Sequence, residues 1–528
     1  MDELDPSVKN WRSHVREMAY DIEDCIDDFM HHLEDIDPKE GFINNTVRCL
    51  KTVRQRHRIA HQIDKLKTRV LEASKRRKRY NLDYHASTGL VAVDPQVTSL
   101  YPKAANLVED TLQASENIWN IKVDDLWDVQ TWNTISRAFP ENENGSRIIV
   151  TTRVEDVASW ACPHHHDCIY RMNPLDSQDS RTLFFNRIYG CEDNCPVQFE
   201  KVSAEILKKC RGLPLAIVTI AGLLANQPAT LKEWEKTLHS LTMPVGTHPT
   251  LEGMRKILNL SYKNLPPHLR TCLLYLGIYP EDYEIKRDDL IRQWVAEGFV
   301  CNLHGQELND VAKSYFNELI NRNLILPEST DCGEVLSCRV HDMMLDLIWH
   351  RCKDDNFVTV LCNSKDMETH QDNKARRLYL NCSNADLVDG RVSGTILSSM
   401  SQVRSFAAYG ESKCVPPLVL FKYLWVLILD IFSYEMECKV DLTAISQLFQ
   451  LKYLKIAGNY IVDVMLPSKI QGLMHLETLD IIYLFSATIN VLGELTNLRD
   501  LTLCYTDYDD IPDHETAKIK PLVSSEQG

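Results

Sequence analysis

Two short stretches in the middle of the chain decide its fold: Ile118-Trp119-Asn120-Ile121-Lys122-Val123-Asp124-Asp125-Leu126-Trp127-Asp128 and Gly145-Ser146-Arg147-Ile148-Ile149-Val150-Thr151-Thr152-Arg153. Each is a short run with β-branched residues that ends abruptly in polar groups, as buried parallel strands do when their carboxyl ends open on a site. Ligands of open α/β sheets bind outside those ends. The pattern predicts adjacent parallel strands near 119–123 and 146–150. If only the Asp-Asp pair is considered, the alternative interpretation is two ordinary strands followed by a solvated acidic turn.

The polar groups after these strands suit one half of a nucleotide site. In a P-loop NTPase an Asp at a strand end holds Mg²⁺ beside the phosphates, which is a role for Asp124 or Asp125, and Arg153 could reach a terminal phosphate. The other half is the cradle G-x-x-x-x-G-K-[ST], whose backbone N–H groups and Lys hold the β and γ phosphates. No Gly of this chain is followed by Lys. The sequence therefore contains a candidate Asp ligand for Mg²⁺ but lacks the loop that would bind the phosphates.

Composition limits the class of protein. A chain of 528 residues allows roughly three or four domains of about 150 residues each. Its 44% hydrophobic and 25% charged content is that of a soluble globular protein. A net charge of −16 argues against a general binder of nucleic acid or anionic membranes. The 17 cysteines are scattered, which suits a reducing compartment. We expect neither a signal peptide nor a membrane span.

The N-terminal part predicts two helices of opposite charge. Residues 8–33 read as an amphipathic helix with Glu23, Asp24 and Asp27 on its polar face. Residues 43–79 read as a basic helix that ends in Lys75-Arg76-Arg77-Lys78-Arg79. An acidic helix followed by a basic one favours an antiparallel pair. The basic run is interpreted as a solvated face, with a nuclear-import or RNA-binding patch as the alternative.

Beyond the second strand the pattern is mostly helical. The Cys and His residues of 162–168 have no second ligand pair at finger spacing, so we interpret them as a polar surface loop and keep a zinc site as the alternative. Residues 176–240 read as helices, one of which opens at Gly212-Leu213-Pro214.

Residues 257–300 predict a winged-helix unit, because short helices there are separated by Pro and Gly. Such units often read DNA through a basic helix, but Asp288, Asp289 and Glu297 argue against that here. The unit ends at Val340-His341-Asp342, where a His-Asp pair enters an apolar helix, and we expect Asp342 to be its N-cap.

A leucine-rich pattern recurs from about residue 375. The motif L-x-x-L-x-L occurs six times at spacings within the roughly 20–29 residues of leucine-rich repeats, with central positions at Leu378, Phe406, Leu427, Leu454, Leu479 and Leu501. The pattern predicts six strands in a short arc whose concave face binds a protein ligand.

These motifs, in this order, resemble the plant disease-resistance proteins of the coiled-coil NB-ARC leucine-rich-repeat (NLR) family. Glu23-Asp24-Cys25-Ile26-Asp27 is similar to the EDVID motif, Val123–Asp128 to kinase-2 (Walker B), and Gly145–Arg153 to the strand that follows it. Gly212–Ala216 is similar to GLPLA, Leu273–Tyr283 to a CFLYLSIFPEDY-like stretch, and Val340-His341-Asp342 to MHD.

The resemblance implies roles for individual residues. Asp124 would be the Mg²⁺ ligand, with Asp125 beside it in the nucleotide site. Arg153 would sense the γ-phosphate of ATP, Pro214 would line the pocket, and His341 would read the β-phosphate of ADP.

Regulatory roles follow in the same way. The resemblance assigns Glu23, Asp24 and Asp27 to the EDVID motif and Asp342 to the MHD motif. The implied cofactor is ADP or ATP with Mg²⁺, and the missing cradle predicts that binding is weak or absent.

The implied architecture is a multidomain α/β protein. We expect a partial Rx-type coiled-coil domain at 1–85, a linker with a deletion at 86–117, and an incomplete P-loop (NB-ARC) sheet at 118–170. A helical ARC1 domain at 171–245 and a winged-helix ARC2 domain at 246–352 follow. A repeat solenoid at 353–515 and a tail at 516–528 complete the chain. The expected Walker A region is missing between Val108 and Ile118, and the N-terminal domain is expected to be truncated.

The expected function is that of an intracellular innate immune receptor in plant defence, a signalling switch and not an enzyme. Expected partners are a pathogen effector, a guarded host protein or another NLR, with no specific nucleic acid and no evident membrane association. The expected location is the cytoplasm, with the nucleus or the periphery of the plasma membrane as further options. The alternatives are a nucleotide-independent interaction protein, such as a decoy or regulator of a partner NLR, and a non-functional fragment.

Overall fold

The computed structural model describes residues 14–26, 61–70, 92–94, 120–123, 126, 128–138, 147–162, 169–190, 196–241, 249–301, 306–362, 375–382, 400–412, 415–432, 438–458, 462–465, 473–482, 495 and 497–504. They fall into two compact units. The smaller unit comprises Val93–Ser261 with Asn321–Asn323, and the larger comprises Met1–Ala92, Tyr262–Ile320 and Leu324–Gly528.

The smaller unit contains the two strands predicted from the opening motif. Strands β1 (Asn120–Val123) and β2 (Arg147–Val150) are adjacent and parallel, with Asn120 opposite Arg147 and Val123 opposite Val150. Within the described residues this sheet has only these two strands. Successive residues of β2 point to opposite faces, and Ile148 and Ile149 are 41% and 63% exposed. These two side chains of β2 are thus exposed, whereas strands of a complete parallel α/β sheet are buried on both faces.

The rest of the smaller unit is helical, as the sequence predicts for 176–240. Four helices there span Ser177–Tyr189, Glu200–Cys210, Pro214–Ala225 and Leu231–Leu241, and Val129–Ile135 and Glu155–Ala161 flank β2. Trp234 is buried between Phe184 and Phe199, with ring centroids 5.8 and 4.5 Å away. Burying such aromatic rings supplies much of the stability of this helical core.

A buried arginine ties Asp94 to these helices. The Arg187 Nη1 atom lies 3.0 Å from an Asp94 carboxylate oxygen, and the Asp94 backbone N–H donates to Asn321 Oδ1 at 2.6 Å. The buried guanidinium of Arg187 needs an anionic partner, and Asp94 is held at this point because it supplies that partner.

The winged-helix prediction is confirmed in the larger unit. After helix Pro249–Lys263, helix Pro267–Tyr275 leads into strand β3 (Ile285–Lys286) and helix α-W (Arg287–Ala296). Helix Leu308–Asn321, strands β4 (Leu326–Asp331) and β5 (Glu334–Arg339), and helix Asp342–Asp355 follow. The three strands form an antiparallel sheet in the order β3-β5-β4, of which the hairpin β4–β5 is the wing.

The turn of the wing is strained at its first central residue. Asp331 pairs with Glu334, and between them Cys332 and Gly333 have φ of 48° and 84°. Two positive φ values define a type I′ turn, which favours Asn-Gly. Because the left-handed region costs other L-residues about 1–2 kcal/mol, we expect Cys332→Asn to raise the free energy of unfolding by about 0.5–1 kcal/mol. Urea denaturation measures this, and Cys332→Ala, which keeps the strain, should change stability little.

The C-terminal repeats form one parallel sheet of seven described strands. The strands are β6 (Thr359–Leu361), β7 (Arg377–Cys382), β8 (Ser405–Glu411), β9 (Val426–Phe432), β11 (Tyr453–Gly458), β13 (Thr478–Ile482) and β14 (Asp500–Cys504), and each lies beside the next one in this series. All six predicted strands are confirmed. Strand β6 was not predicted, since it directly follows the winged-helix unit and lacks the repeat motif. A second pair, β10 (Cys438–Asp441) and β12 (Val462–Met465), is also parallel.

Two helical segments represent the predicted N-terminal pair. Residues 14–26, called helix α-N below, and residues 61–70 are helical within the longer ranges predicted for them. Cys25 packs against Leu66, and Asp21 forms an ion pair with Arg69 at 2.7 Å. The predicted complementarity between an acidic and a basic helix is confirmed at this contact.

Candidate functional site

The carboxyl ends of β1 and β2 are joined as the sequence suggests. Thr151 N–H donates to the Val123 carbonyl at 2.9 Å, and the Thr152 hydroxyl donates to the Leu126 carbonyl at 2.6 Å. Arg153 follows at this edge and is exposed. Asp124 and Asp125 lie outside the described residues, as does the Cys/His loop over 163–168. The structure thus places Arg153 after the end of β2, and the phosphate-binding role of Arg153 and the metal-binding role of Asp124 and Asp125 stay predictions.

The turn Gly212-Leu213-Pro214 is explained by the close approach of Leu175 and by the start of the helix at Pro214. Pro214 is exposed and is the first residue of its helix, as predicted. Gly212 has a φ of 71° and its carbonyl accepts from Leu175 N–H at 2.9 Å. A Cβ on this glycine would lie 2.3 Å from the Leu175 carbonyl oxygen. The glycine is required because the backbone of Leu175 occupies the space of a side chain.

The N-cap prediction at the winged-helix end was wrong by one residue. His341, not Asp342, caps the helix Asp342–Asp355, and its Nδ1 atom accepts from Met343 N–H at 3.2 Å. The chain is extended at His341, and its carbonyl also accepts hydrogen bonds from the N–H groups of Met344 and Leu345, at 2.7 and 2.9 Å. Asp342 is already helical and lies where a carboxylate favours the helix N-terminus. His341 belongs to the larger unit, whereas Arg153 and Pro214 belong to the smaller, so the role of all three residues around one nucleotide stays a prediction.

The concave face of the repeats does not present the open ligand surface that the sequence suggested. Tyr379, Tyr409 and Tyr453 occupy this face of their strands and are at most 5% exposed. The winged-helix unit covers them: Tyr283 packs edge-on against Tyr409 at 5.1 Å, and its hydroxyl donates to Asp430 at 2.8 Å. At these positions the winged-helix unit buries the concave side chains.

Charged residues of helix α-W continue this contact. Asp289 lies 2.9 Å from both Lys455 Nζ and an Arg292 nitrogen, and Arg292 also pairs with Asp500 at 3.2 Å. Burial raises the pKa of Asp289, but Lys455 and Arg292 outweigh it and the pKa is lowered. For Asp480, burial and the nearby Asp289 raise the pKa. The acidic residue that argues against DNA binding is thus used to hold the repeats.

A buried ion pair anchors the end of the same helix. Glu297 Oε2 accepts from Arg377 Nη2 at 2.8 Å and from its Nε at 2.9 Å, and the Ser405 hydroxyl donates to the other oxygen of the carboxylate. The Arg377 guanidinium lies between the rings of Phe299 and Phe357, 5.0 and 4.4 Å from their centroids. Glu297 of the winged-helix unit is thereby bound to Arg377 of strand β7 and to Ser405 of strand β8.

The acidic helix α-N has its own anchor on the repeats. Asp24 accepts two hydrogen bonds from Arg376, at 2.5 and 2.8 Å, and one from Arg404 at 3.3 Å. Both arginines are nearly inaccessible, at 1% and 2% exposed. The Tyr20 ring stacks on the Arg376 guanidinium at 4.7 Å. Of the predicted regulatory residues, Asp24 makes this contact, Glu23 lies beside it in the helix, and Asp27 is outside the described residues.

The cationic partners in these contacts were missed from the sequence, although a signal existed. Arg376 and Arg404 each immediately precede a repeat strand, and the backbone N–H of Arg404 donates to the Arg376 carbonyl. Arginine at the same position of two successive repeats predicts two neighbouring positive charges at one edge of the solenoid.

Family models match four segments of the chain in the order of these units. They are an Rx N-terminal domain at residues 1–76, an NB-ARC domain at 106–193, a disease resistance protein winged helix domain at 278–348 and a leucine-rich repeat region at 402–485.

Three curated proteins illustrate the similarity. Disease resistance protein RGA5 of Oryza sativa subsp. japonica is 41% identical over 396 residues, which is 74% of this chain and 35% of that protein. Disease resistance protein Pik-2 of the same organism is 39% identical over 374 residues, 70% of this chain and 36% of the other. ToMV resistance protein Tm-2(2) of Solanum lycopersicum is 28% identical over 606 residues, 96% of this chain and 68% of the other.

The aligned lengths show how much of each relative the chain spans. The chain spans about a third of the length of the rice relatives. The tomato alignment runs over 606 positions, more than the 528 residues of the chain, so it necessarily opens gaps in this sequence. Within the described residues, no helix is long and apolar enough to cross a membrane, and no group of His, Cys, Asp or Glu is arranged to hold a metal ion.

The matched segments stand in the order that the motifs predict, and the winged-helix and repeat units have the folds expected of them. The chain belongs to the plant disease-resistance proteins that combine an Rx-type N-terminal domain, an NB-ARC domain, a winged-helix domain and leucine-rich repeats.

Proposed function

We propose that this chain is an intracellular receptor-type protein of plant defence that works through protein contacts and whose nucleotide switch is impaired. The observation that carries the proposal is the contrast between the two halves of the molecule. Helix α-N and the winged-helix unit are held on the repeats by buried charge pairs, as a resting receptor requires. The nucleotide side keeps Arg153 but lacks any Gly-Lys cradle.

The residues present do not fit a tightly bound ADP or ATP with Mg²⁺. A complete cradle supplies several backbone N–H bonds, a helix N-terminus and a Lys. Charge-assisted hydrogen bonds are worth about 1.5–3 kcal/mol each, so losing even three removes roughly 4–9 kcal/mol, and 1.4 kcal/mol is about tenfold in affinity. Asp124 cannot compensate, because it would act through a metal ion that itself needs the phosphates.

Calorimetry with ADP and Mg²⁺ on the purified full chain tests this. We expect no binding at low micromolar concentration, no ADP retained on purification, and an unchanged melting curve for Asp124→Ala. A low-micromolar dissociation constant that Arg153→Ala or His341→Ala weakens would contradict the impairment and restore an ADP/ATP switch with Asp124, Asp125, Arg153, Pro214 and His341 as its readers.

The proposed role is signalling and not catalysis. Expected partners are a pathogen effector, a guarded host protein or another NLR, and the proposed location is the cytoplasm. Two names support the defence role: the rice relatives are called disease resistance proteins, and the tomato relative is called a ToMV resistance protein.

A nucleotide-independent decoy or regulator of another NLR is the second candidate, and the missing cradle favours it. Co-expression in leaves with an intact NLR separates the two candidates. A regulator should co-purify with that receptor and change its cell-death output, whereas a receptor acting alone should respond to an effector without it.

A further inference from the structure

A buried carboxyl group of the repeats faces the winged-helix unit. Asp480 of strand β13 lies opposite Lys455 of β11 and Thr502 of β14 in the register of the sheet. It is 2% exposed, and its carboxyl accepts a hydrogen bond from the Tyr453 hydroxyl at 3.3 Å. Water therefore does not reach this carboxyl in the folded chain.

The charged groups around Asp480 come from helix α-W and from the two neighbouring strands. With Asp480 itself, and with the nearby tyrosines, they form what we call the Asp480 cluster: Asp289 and Arg292 of helix α-W, Tyr453 and Lys455 of β11, Asp500 of β14, and Tyr279. Three members of the cluster are carboxyl groups and two are cations. The cluster therefore has one carboxyl group more than it has cations.

Both cations are already in contact with the other two carboxylates. Lys455 Nζ lies 2.9 Å from Asp289, and Arg292 lies 2.9 Å from Asp289 and 3.2 Å from Asp500. None of the ion pairs formed by the described residues includes Asp480. A carboxylate that is buried without a cation in contact takes up a proton in preference to staying charged. If Asp480 holds a proton, two carboxylates remain for the two cations and the charges balance.

The surroundings of the two buried carboxyl groups separate their titrations. Burial and the charge of Asp289 raise the pKa of Asp480 above its ordinary value of 3.8, and the opposing effects of Arg292, Thr502 and Lys455 do not cancel this. Burial also acts on Asp289, but its two cations outweigh it, so the pKa of Asp289 is lowered below 3.8. Asp480 therefore titrates above pH 3.8 and Asp289 below it.

We infer that the contact between the winged-helix unit and the repeats is coupled to one proton on the Asp480 carboxyl, so that opening the contact releases this proton to solvent and becomes easier as the pH rises. The inference goes beyond the proposed function, since it requires neither a nucleotide nor a protein partner. It makes the resting contact sensitive to pH through a residue of the repeats.

The sign of the effect follows from linkage. The closed contact keeps a proton that a hydrated Asp480 would lose near pH 3.8, so its stabilising contribution is complete below that pH and is lost as the pH rises through the raised pKa. Asp289 contributes in the opposite direction, and only below pH 3.8. The pKa values of Tyr279 and Tyr453 are raised above their ordinary value of 10, so neither group titrates between about pH 4 and pH 8.

Hydrogen exchange on the full chain measures the opening directly. Peptides from helix α-W and strand β13, corrected for the intrinsic pH dependence of exchange, give the equilibrium constant for opening. For the unchanged chain we expect this constant to rise between about pH 4 and pH 8, by at most about tenfold per pH unit, which is the limit for the release of one proton. Asp480→Asn keeps the size and the hydrogen-bond acceptor of the side chain but cannot ionise. This rise should therefore be absent in Asp480→Asn, which should open less than the unchanged chain at the upper end of the range.

A carboxylate on a neighbouring repeat is the matched control. Asp430 of β9 also accepts a hydrogen bond from a tyrosine hydroxyl, that of Tyr283 at 2.8 Å, but it lies outside the Asp480 cluster. Asp430→Asn should keep the rise with pH. Asp289→Asn tests the cause, because it removes the nearby negative charge and frees Lys455 to contact Asp480. That variant should show a smaller rise than the unchanged chain.

Three results would overturn the inference. The first is an opening constant of the unchanged chain that does not rise with pH. The second is a rise that Asp480→Asn retains in full, since the proton would then come from another group. The third is an Asp480→Asn variant that opens more than the unchanged chain by the same factor at every pH, because Asp480 would then be ionised throughout this range.

Discussion

Glu297→Ala is expected to lower the free energy of unfolding of the larger unit by about 3–5 kcal/mol, because it leaves the buried Arg377 without its carboxylate. The position is informative since Glu297 ends helix α-W. A carboxylate is disfavoured at a helix C-terminus, where the macrodipole is negative. An acid there therefore needs a compensating cation, and Arg377 of the repeats supplies it.

A surface pair in the same unit is the matched control. Glu328 lies 2.8 Å from Arg339, the same distance as in the buried pair, but both side chains are at least a third exposed. Glu328→Ala should cost no more than about 1 kcal/mol. Urea denaturation compares the two variants, and hydrogen exchange in strands β7 and β8 reports whether the repeats have come loose. Equal losses in the two variants would show that the buried pair is not an anchor.

A third variant separates charge from shape. Replacing both members by apolar residues, Glu297→Leu with Arg377→Met, should destabilise less than Glu297→Ala alone, because no uncompensated charge is left behind. A double variant that is worse than the single one would indicate that the contacts of the Arg377 guanidinium with Phe299 and Phe357 stabilise more than its uncompensated charge costs.

Local patterns in the sequence were sufficient to predict the secondary structure within each unit. The β1–β2 pairing and the six repeat strands follow from periodicity, and the proline start of the helix at Pro214 follows from its fixed φ. Each of these depends on neighbours in sequence. The His341 cap was missed because Asp342 has the better intrinsic capping preference, and the extended backbone before the helix decided the matter.

Contacts between elements that are distant in the sequence could not be predicted from it. The concave strand positions were interpreted as a ligand surface because nothing in the residues of β8 or β11 shows what covers them. Asp289 and Lys455 are 166 positions apart, and Asp24 and Arg404 are 380 apart. A charged residue is interpreted as solvated unless its partner is known, so these pairs could only be found in the folded chain.

Gly212→Ala is expected to destabilise the smaller unit by about 2–5 kcal/mol. A left-handed backbone costs a non-glycine residue about 1–2 kcal/mol, and forcing extra volume into a packed site adds about 1–3 kcal/mol. Both terms apply here, since φ is 71° and the new Cβ would be 2.3 Å from the Leu175 carbonyl oxygen. A backbone oxygen cannot turn away as a flexible side chain could.

Two other glycines separate the two terms. Gly298 has a φ of 74°, and nothing lies within 4 Å of the position that a Cβ would take, so Gly298→Ala should lose only the conformational part, about 1–2 kcal/mol. Gly253 lies in the helix Pro249–Lys263 with open space around it, so Gly253→Ala should gain about 0.5–1 kcal/mol. Denaturation followed by tryptophan fluorescence measures all three.

The order of these losses bears on what the Gly-Leu-Pro turn is for. If Gly212→Ala is much the worst variant and ADP does not alter its loss, the glycine is explained by the approach of Leu175 to the turn, without any nucleotide. If Gly212→Ala is no worse than Gly298→Ala, the close approach to Leu175 does not contribute. The glycine would then be required only for its backbone conformation. Leu175 would have to pack less tightly against the start of the Pro214 helix than its 2.9 Å hydrogen bond to Gly212 implies.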